Sequence, residues 1–500
     1  MADRGDAHQT YQRAVEALNG LLLPAAEVKQ AATDADRALI NIPRTKQCLQ
    51  RIGMSMDQLD RLSAIHVSGT KGKGSVCAYC DSILRAHGYT TGFFSSPHLI
   101  EPRERIRING RPINQELFSK YFWYCYGKLL TTKAQYDGYM PTYFGFMTVM
   151  AFYAFVEENV DAAIIEVGIG GEYDNTNVIQ KPYVCGVTSL GIDHTKLLGE
   201  TLEEIAWHKG GIFKNGVPAV SVLQADGAIR VLEQRAMEAG SPFFVAPTLS
   251  SYDSFAAVKD SMAGPTQAQN ASLALQLTNI WLQLTQTGKY NASFVLGSHQ
   301  KELQPFTLTE PYVQGIKQFS WPGRNQVLQI SKNLVMFLDG AHTAESIVHC
   351  SRWFCSASKR QSKGNVIKRV LLFNLTRERT PEKMLPHVRQ CHFDAALFCP
   401  NVIFTSSQDA SADSQIHNQQ MAQCIQNKEC WDTLSETKLS KDGAMNKYDS
   451  QVFATIEDAV AFIRDLCDDN PKETCHVLCT GSLYLVGGIL RLLEPDLCDK

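Results

Sequence analysis

The chain has 500 residues, with 48 lysines and arginines against 51 aspartates and glutamates, and a formal net charge of −3. Its 44% hydrophobic and 20% charged residues are globular proportions, which exclude a disordered, collagenous or coiled-coil chain. The even charge balance leaves no basic footprint for nucleic acid, and the length allows two large domains or about three smaller ones.

The chain opens Met1-Ala2-Asp3-Arg4-Gly5-Asp6, with early acids and no apolar segment. It reads as neither a secretory signal nor a mitochondrial presequence. The expectation is a cytoplasmic chain, with a mitochondrial form arising from an upstream start. Residues 11–60 read as mostly helical: Tyr11 to Leu22, then Asp34 to Ile40, with Pro43 expected to break the pattern. At Ala64 the texture changes to alternating strands and helices. Ala64-Ile65-His66-Val67-Ser68 is a buried-strand run, Ser75 to Ala86 has helical spacing, and Thr90 to Phe94 is the next strand. That βαβ unit implies a parallel sheet. Tyr143 to Val156 is an apolar run of about 14 residues, shorter than the about 20 that span a membrane, so it reads as a buried helix.

Asp161 to Val167, Val184 to Leu190 and Ala219 to Leu223 read as core strands, and Leu202 to His208 as a helix. Residues 248–268 are polar and irregular, Asn270 to Leu284 is helical, and 285–315 is loop-like. A second unit starts near Phe319. It has strands at Leu334 to Leu338, Arg369 to Phe373, Ala395 to Phe398 and His476 to Cys479. Helices follow at Ala344 to Phe354, Ile456 to Cys467 and after Ser482. Residues 404–451, rich in Ser, Gln, Asn, Asp and Lys, read as a solvated, partly disordered insertion. The expected division is 1–316 and 317–500. The 15 cysteines have no repeating spacing. Cys77 and Cys80 stand as C-x-x-C without a second pair, so free, mostly buried thiols are expected.

Gly69-Thr70-Lys71-Gly72-Lys73-Gly74-Ser75 lies between a strand and a helix. Glycines let backbone N–H groups close on phosphate oxygens, a helix N-terminus adds positive potential, and a lysine neutralises charge. The spacing departs from the Walker pattern, because Gly74 separates Lys73 from Ser75. The alternative is a glycine-rich turn with two surface lysines. Ser75 and Ser96 offer hydroxyls to Mg²⁺. Glu166 ends a strand, where carboxylates face the ligand crevice of an open α/β sheet.

The loop His66 to Ser75 resembles the nucleotide loop of the folylpolyglutamate synthases, a family of the Mur-ligase superfamily. Further segments match in order: Phe93 to Leu99, Arg103 to Gly110, Glu166 to Gly171, Leu190 to Thr195 and Ile205 to Lys214, then Trp321 to Arg324, Asp339 to His342 and Thr480 to Leu483. The wording looks like the animal type. The resemblance implies an α/β fold: a Mur-ligase-like P-loop ATPase domain with a parallel-rich sheet, binding ATP and folate. A smaller C-terminal Rossmann-like α/β domain would contribute to the ATP and glutamate sites. It implies an ATP-dependent ligase that extends reduced folates by one L-glutamate, through an acyl phosphate, giving ADP and phosphate.

The resemblance also implies residue roles. Gly69 to Ser75, Asn270, Arg324 and Asp339 would hold ATP. Ser75, Ser96, Glu166 and His194 would hold Mg²⁺, and a monovalent cation is admitted besides. Lys73, Lys209 and His342 would serve the chemistry, Lys209 as a carbamylated lysine. Ser95, Pro97, His98 and Leu99 would belong to a folate loop spanning 95–111, and closure of the two domains would exclude water. On residues alone other readings stay open. Lys209 suits a helix C-terminus without any function, an Asp193–His194 pair can cap a helix, and Arg324 can make a plain salt bridge. The five basic residues Arg103, Arg105, Arg107, Arg111 and, if protonated, His98 can meet an anionic tail, or be solvated charge on a hairpin, with Arg103, Arg105 and Arg107 sharing one strand face.

Departures from the family pattern fall at three places. Thr266 replaces a histidine, with an apolar strand missing over 249–262. Thr376-Arg377-Glu378-Arg379 replaces a small-residue turn, and Glu101-Pro102 is unusual. The competing functions are a ligase of the same superfamily with another acceptor, such as a dihydrofolate synthase or a peptidoglycan precursor ligase, and a P-loop switch without ligation. A monomer with only small-molecule partners is expected.

Overall fold

The computed structural model describes residues 2–22, 34–290, 294–296, 301–362, 366–375, 379–403, 413–436, 450–468 and 473–499. They form two compact units, Met1–Ser320 with Asp499, and Trp321–Cys498. No helix among the described residues is long and apolar enough to cross a membrane.

The first unit is built on one sheet. Its strands are β1 (Ile65–Ser68), β2 (Thr91–Phe94), β3 (Ile106–Ile108), β4 (Arg111–Pro112) and β5 (Ala162–Glu166). Then come β6 (Val184–Val187), β7 (Ala219–Ser221), β8 (Phe243–Val245), β9 (Phe294–Leu296) and β10 (Lys301–Leu303). The order is β4-β3-β2-β5-β1-β6-β7-β8-β10-β9, parallel from β2 to β10 and antiparallel at both edges. The inner strands β1, β2, β5 and β6 are buried at every position, as strands covered on both faces must be. The helix Tyr143–Glu157 supplies much of that cover. Its Phe146, Met147, Met150 and Phe155 are fully buried, so the apolar run packs inside the unit.

Strand β1 lies between β5 and β6, and all three run parallel. Sequence order reverses there: β5 and β2 lie on one side, β6 and β7 on the other. The carboxyl ends of strands at such a switch point frame the ligand crevice of an open α/β sheet.

The second unit has a six-stranded sheet, β11 (Gln326–Ser331), β12 (Leu334–Leu338), β13 (Ile367–Phe373), β14 (Ala395–Phe398), β15 (Ser450–Val452) and β16 (Thr474–Thr480). The order is β11-β12-β16-β13-β14-β15, with only β11 antiparallel to its neighbour.

Four local expectations are corrected. Pro43 sits inside one helix, Asp34–Arg51, and does not end it. Tertiary contacts hold both sides of the proline: Asn41 Nδ2 donates to Tyr173 O at 3.2 Å, and Cys48, Leu49 and Ile52 are buried in the core. Residues 285–315 contain β9, β10 and the helix Glu310–Lys317, and β10 takes the sheet edge beside β8. Within 404–451, a helix runs Asp413–Glu436 with Cys424, Asn427 and Trp431 buried, so that stretch is packed and not a solvated insertion; residues 404–412 and 437–449 lie outside the described residues. Residues 95–111 are not a bare loop. They hold a 3₁₀ turn, Pro102–Arg105, and the β3–β4 hairpin. Arg103 is only 2% exposed, because its Nε donates to Glu101 Oε2 at 2.6 Å and its Nη1 to Ile113 O.

Candidate active site

The phosphate loop follows β1, and the helix Lys73–Ala86 starts from it. Gly72 has φ +93 as the residue before that helix, a conformation that glycine adopts without strain. A Cβ on Gly69 would come within 1.8 Å of Thr188 Oγ1, so the chain passes too close to β6 for any other residue. Thr70 and Lys71 N–H both donate to Ser189 O, at 3.0 and 3.1 Å, and point away from a phosphate. The N–H groups from Gly72 to Ser75 have no acceptor among the described residues, and they form the open helix N-terminus. The cradle is therefore shorter than the seven-residue motif suggests.

Three neighbouring strands, β2, β5 and β6, deliver the next residues. Glu166 ends β5, is 5% exposed, and accepts the Ser96 backbone N–H at 3.1 Å, so Ser96 beyond β2 meets Glu166 directly. Beyond β6, Asp193 Oδ1 accepts His194 N–H at 3.0 Å, and His194 takes a left-handed conformation with φ 53. Partial desolvation holds the His194 imidazole below its usual pKa. Asp193 opposes that shift, and Lys73, Lys209 and Lys71 add to it. Of the set implied by the resemblance, the Glu166 carboxylate and the Ser75 and Ser96 hydroxyls are oxygen donors of the kind Mg²⁺ prefers, and the His194 imidazole is an unusual ligand for that ion. No three His, Cys, Asp or Glu side chains converge on a metal site among the described residues. The set implied by the resemblance has two such groups, with Ser75 and Ser96 supplying hydroxyls.

Lys209 is in the last turn of the helix Leu202–Gly210, 4% exposed, and its Nζ donates to Gly69 O at 2.8 Å. A lysine that merely favoured a helix dipole would face solvent; this one reaches the phosphate loop. Burial drives its pKa well below the lysine range, and Lys73 pushes the same way. Asn270 also reaches the loop, since its Oδ1 occupies the space where a Gly72 Cβ would stand. Its helix starts at Pro265, earlier than expected, and the irregular 249–262 is pinned by buried Leu249, Tyr252 and Val258. Thr266 in place of the family's histidine does not move Asn270 off the loop.

Residues 95–105 wrap around a carboxylate that sequence reasoning left without a role. Glu104 Oε1 accepts Ile100 N–H and Glu101 N–H, both at 2.6 Å, and Oε2 accepts Leu99 N–H at 3.2 Å. Ser95 N–H donates to Arg105 O at 3.0 Å. His98 Nδ1 accepts from Arg105 Nε at 3.0 Å, so it carries no proton; burial, then Arg105, pushes its pKa to about 3. His98 could join the basic residues of this segment only if protonated, and with Arg105 Nε donating to its Nδ1 that condition is not met. Pro97 follows a cis peptide bond.

A second missed group is Asp174. Its Oδ2 accepts Ile169 N–H at 3.0 Å, and its Oδ1 accepts Thr176 N–H and, at 2.6 Å, Thr176 Oγ1–H. Thr176 Oγ1, having donated its proton, accepts from His66 Nε2 at 2.9 Å. Asp174 thus fixes the turn after Glu166, and His66 ties that turn to β1. Burial holds His66 neutral, at a pKa of about 3, and raises that of Asp174 against the hydrogen bonds it accepts. Only the acid eight residues after Glu166 signalled this.

In the second unit, Arg324, Asp339 and His342 converge. Asp339 directly follows β12 and accepts Asn325 N–H at 2.8 Å and Ala341 N–H at 3.0 Å. Burial raises its pKa, opposed first by Arg324. A Cβ on Gly340 would come within 2.5 Å of Arg324 Nη1, so the guanidinium lies across that glycine. His342 Nδ1 is 2.7 Å from Gly340 O, and since a carbonyl only accepts, Nδ1 carries the proton and Nε2 is the basic nitrogen. Residues 376–378 of the divergent turn lie outside the described residues.

The chain is 42% identical to human mitochondrial folylpolyglutamate synthase, with 97% of this chain and 92% of that protein covered. It is 38% identical to the putative Caenorhabditis elegans folylpolyglutamate synthase (96% and 92%) and 37% identical to the Arabidopsis thaliana folylpolyglutamate synthase (99% and 89%). The chain belongs to the folylpolyglutamate synthase family. A family model described as the C-terminal domain of dihydrofolate synthetase matches residues 326–492, within the second unit. The fold is that of solved folylpolyglutamate synthases. The Mycobacterium tuberculosis enzyme complexed with ADP aligns with TM-score 0.69 at 19% identity, over 98% of this chain and 99% of that one. The apo form of L. casei FPGS aligns with TM-score 0.68 at 23% identity, over 97% of this chain and 99% of that one. Membership of the folylpolyglutamate synthase family makes this chain an ATP-dependent ligase that adds glutamate to folate.

Proposed function

We propose that the chain transfers the ATP γ-phosphoryl group to the γ-carboxylate of a reduced folate, or of its short polyglutamate. The glutamate amine then attacks the carbonyl carbon of that acyl phosphate, and a tetrahedral intermediate collapses to amide and inorganic phosphate. The reading keeps folates charged and cell-retained for one-carbon metabolism. The observation that carries it is the convergence, at the ends of β1, β2, β5 and β6, of an open helix N-terminus, the Glu166 carboxylate and buried Lys209.

The N–H groups of Gly72 to Ser75 bind β- and γ-phosphate oxygens, and Lys73 neutralises their charge. Asn270 abuts the loop and supports the nucleotide. Mg²⁺, held by Ser75, Ser96, Glu166 and His194, would neutralise phosphate charge during transfer. Lys209, as a carbamate, would add a carboxylate oxygen beside these groups. Ser95, Pro97, His98 and Leu99 contact the folate, in a loop whose shape Glu104 sets. For the second unit we adopt the roles implied by the resemblance: Arg324 and Asp339 on ATP, His342 on the transferred phosphoryl group. Free, largely buried cysteines suit a reducing compartment, so we place the chain in the cytoplasm, and also in mitochondria, as the names of the mammalian relatives have it.

The test is ADP release by the purified chain with MgATP and a reduced folate, with and without L-glutamate, with product mass read in parallel. Glutamate-dependent release and a folate heavier by one glutamyl unit are expected, and Lys73→Ala should abolish both. Extension of dihydropteroate in preference to folate would favour the dihydrofolate synthase reading that the second-unit match raises.

A further inference from the structure

Lys71 and Asp193 make an ion pair between two loops that the sequence treats separately. Lys71 Nζ donates to Asp193 Oδ2 at 2.8 Å, and each side chain is about a quarter exposed, at 24% and 23%. The other oxygen of the same carboxylate, Oδ1, accepts His194 N–H at 3.0 Å. Backbone bonds run alongside: Lys71 N–H and Thr70 N–H both donate to Ser189 O, and Thr70 Oγ1 donates to Gly191 O at 3.1 Å. The phosphate loop is thus stitched to the segment that carries His194, and Asp193 is the charged stitch.

We infer that Asp193 is a positioning residue with two separable tasks: one oxygen holds Lys71 away from the phosphate cradle, and the other fixes the backbone that aims His194. His194 takes φ 53, a conformation costly for a non-glycine residue, so its backbone needs an external hold. Lys71 is one residue from Gly72, where the open N–H groups begin. A nucleotide phosphate arriving there competes with Asp193 for the ammonium. The inference rests on the proposed nucleotide role of this loop.

Two substitutions separate the tasks. Asp193→Asn keeps an oxygen for His194 N–H and removes the charge that holds Lys71. Asp193→Ala removes both. The measurement is calorimetric binding of ADP, first without Mg²⁺ and then across a Mg²⁺ titration, with circular dichroism confirming the fold. Asp193→Asn should bind Mg²⁺-free ADP about fivefold tighter, the scale of a partly exposed ion pair. That gain should vanish when Lys71→Met is already present. Asp193→Ala should in addition raise the Mg²⁺ concentration needed for half-maximal tightening about tenfold, the loss typical of a group that orients a ligand. Mg²⁺-free ADP affinity unchanged in Asp193→Asn, or a gain that persists beside Lys71→Met, would overturn the first task. Equal Mg²⁺ curves for the Asn and Ala variants would overturn the second. Failure of the unsubstituted chain to bind ADP at all would overturn the nucleotide reading and this inference with it.

Discussion

Asn270 Oδ1 stands 2.4 Å from the point where a Gly72 side chain would begin. The helix that carries Asn270 therefore sets the width of the phosphate loop, and a residue 198 positions away in sequence limits what position 72 can be. Gly72→Ala meets both this contact and the strain of φ +93, so we expect it to lower stability by about 1–3 kcal/mol and to weaken ADP binding. Asn270→Ala opens the same space. The double variant Gly72→Ala/Asn270→Ala should regain part of the lost stability in thermal unfolding, and strictly additive losses would show that the two residues do not meet.

Lys209 differs from the exposed lysines of the chain because burial pushes its pKa well below the lysine range, which favours the neutral amine. A neutral amine is the form that attacks CO₂, forming an N–C bond and releasing a proton. We expect turnover to fall in CO₂-depleted buffer and to recover on addition of bicarbonate. Lys209→Met should remove that response, keep the fold, and lower turnover by about tenfold to a hundredfold. Activity that is indifferent to bicarbonate would leave Lys209 a plain amine bonded to Gly69 O.

Glu104 organises the segment assigned to folate. Three N–H groups converge on its carboxylate, and hydrogen bonds to a charged acceptor contribute about 1.5–3 kcal/mol each. Glu104→Ala should disorder residues 99–101 and raise the KM for folate by about tenfold or more, with ADP affinity unchanged. Glu104→Gln offers one oxygen and should fall between. Equal losses for folate and ADP would mean that Glu104 serves the whole unit and not this segment.

The parts legible in the sequence were those in which a short-range pattern carries the physics. Buried parallel strands read as apolar runs, and those that ended in Gly69, Glu166 or Asp339 put chemistry at the crevice. Residues whose role depends on distant partners were not legible. Pro43 stays helical because Asn41 and Cys48 are held by the fold on either side. Arg103 looked like solvated charge until Glu101 and the Ile113 carbonyl enclosed it. Whether His98 joins the basic residues depends on its protonation, and only the Arg105 Nε–H donated to its Nδ1 decides that. Glu104 and Asp174 are carboxylates that gather backbone N–H groups, with a hydroxyl besides at Asp174, and the sequence offers no pattern for that. The polar stretch around Cys424 and Trp431 misled because composition alone does not reveal which face of a helix packs.

His476 gives the second unit a dependence on pH. It lies on β16, fully buried beside the Phe337 ring, with Nδ1 2.8 Å from Ser358 Oγ. Burial, then Arg369, lowers its pKa to about 4. The unfolded chain takes up this proton near pH 6.5, while the folded chain refuses it until about pH 4. The stabilisation is therefore complete above pH 6.5 and is lost as pH falls toward 4, by an amount on the order of 3 kcal/mol. His476→Gln cannot titrate. In thermal unfolding between pH 7.5 and 4.5, the wild-type chain should lose stability faster than the variant, so that the two curves converge or cross on the acid side. Parallel curves across that range would mean that His476 is protonated as readily in the folded chain as in the unfolded one, and that its place beside Phe337 and Ser358 admits water.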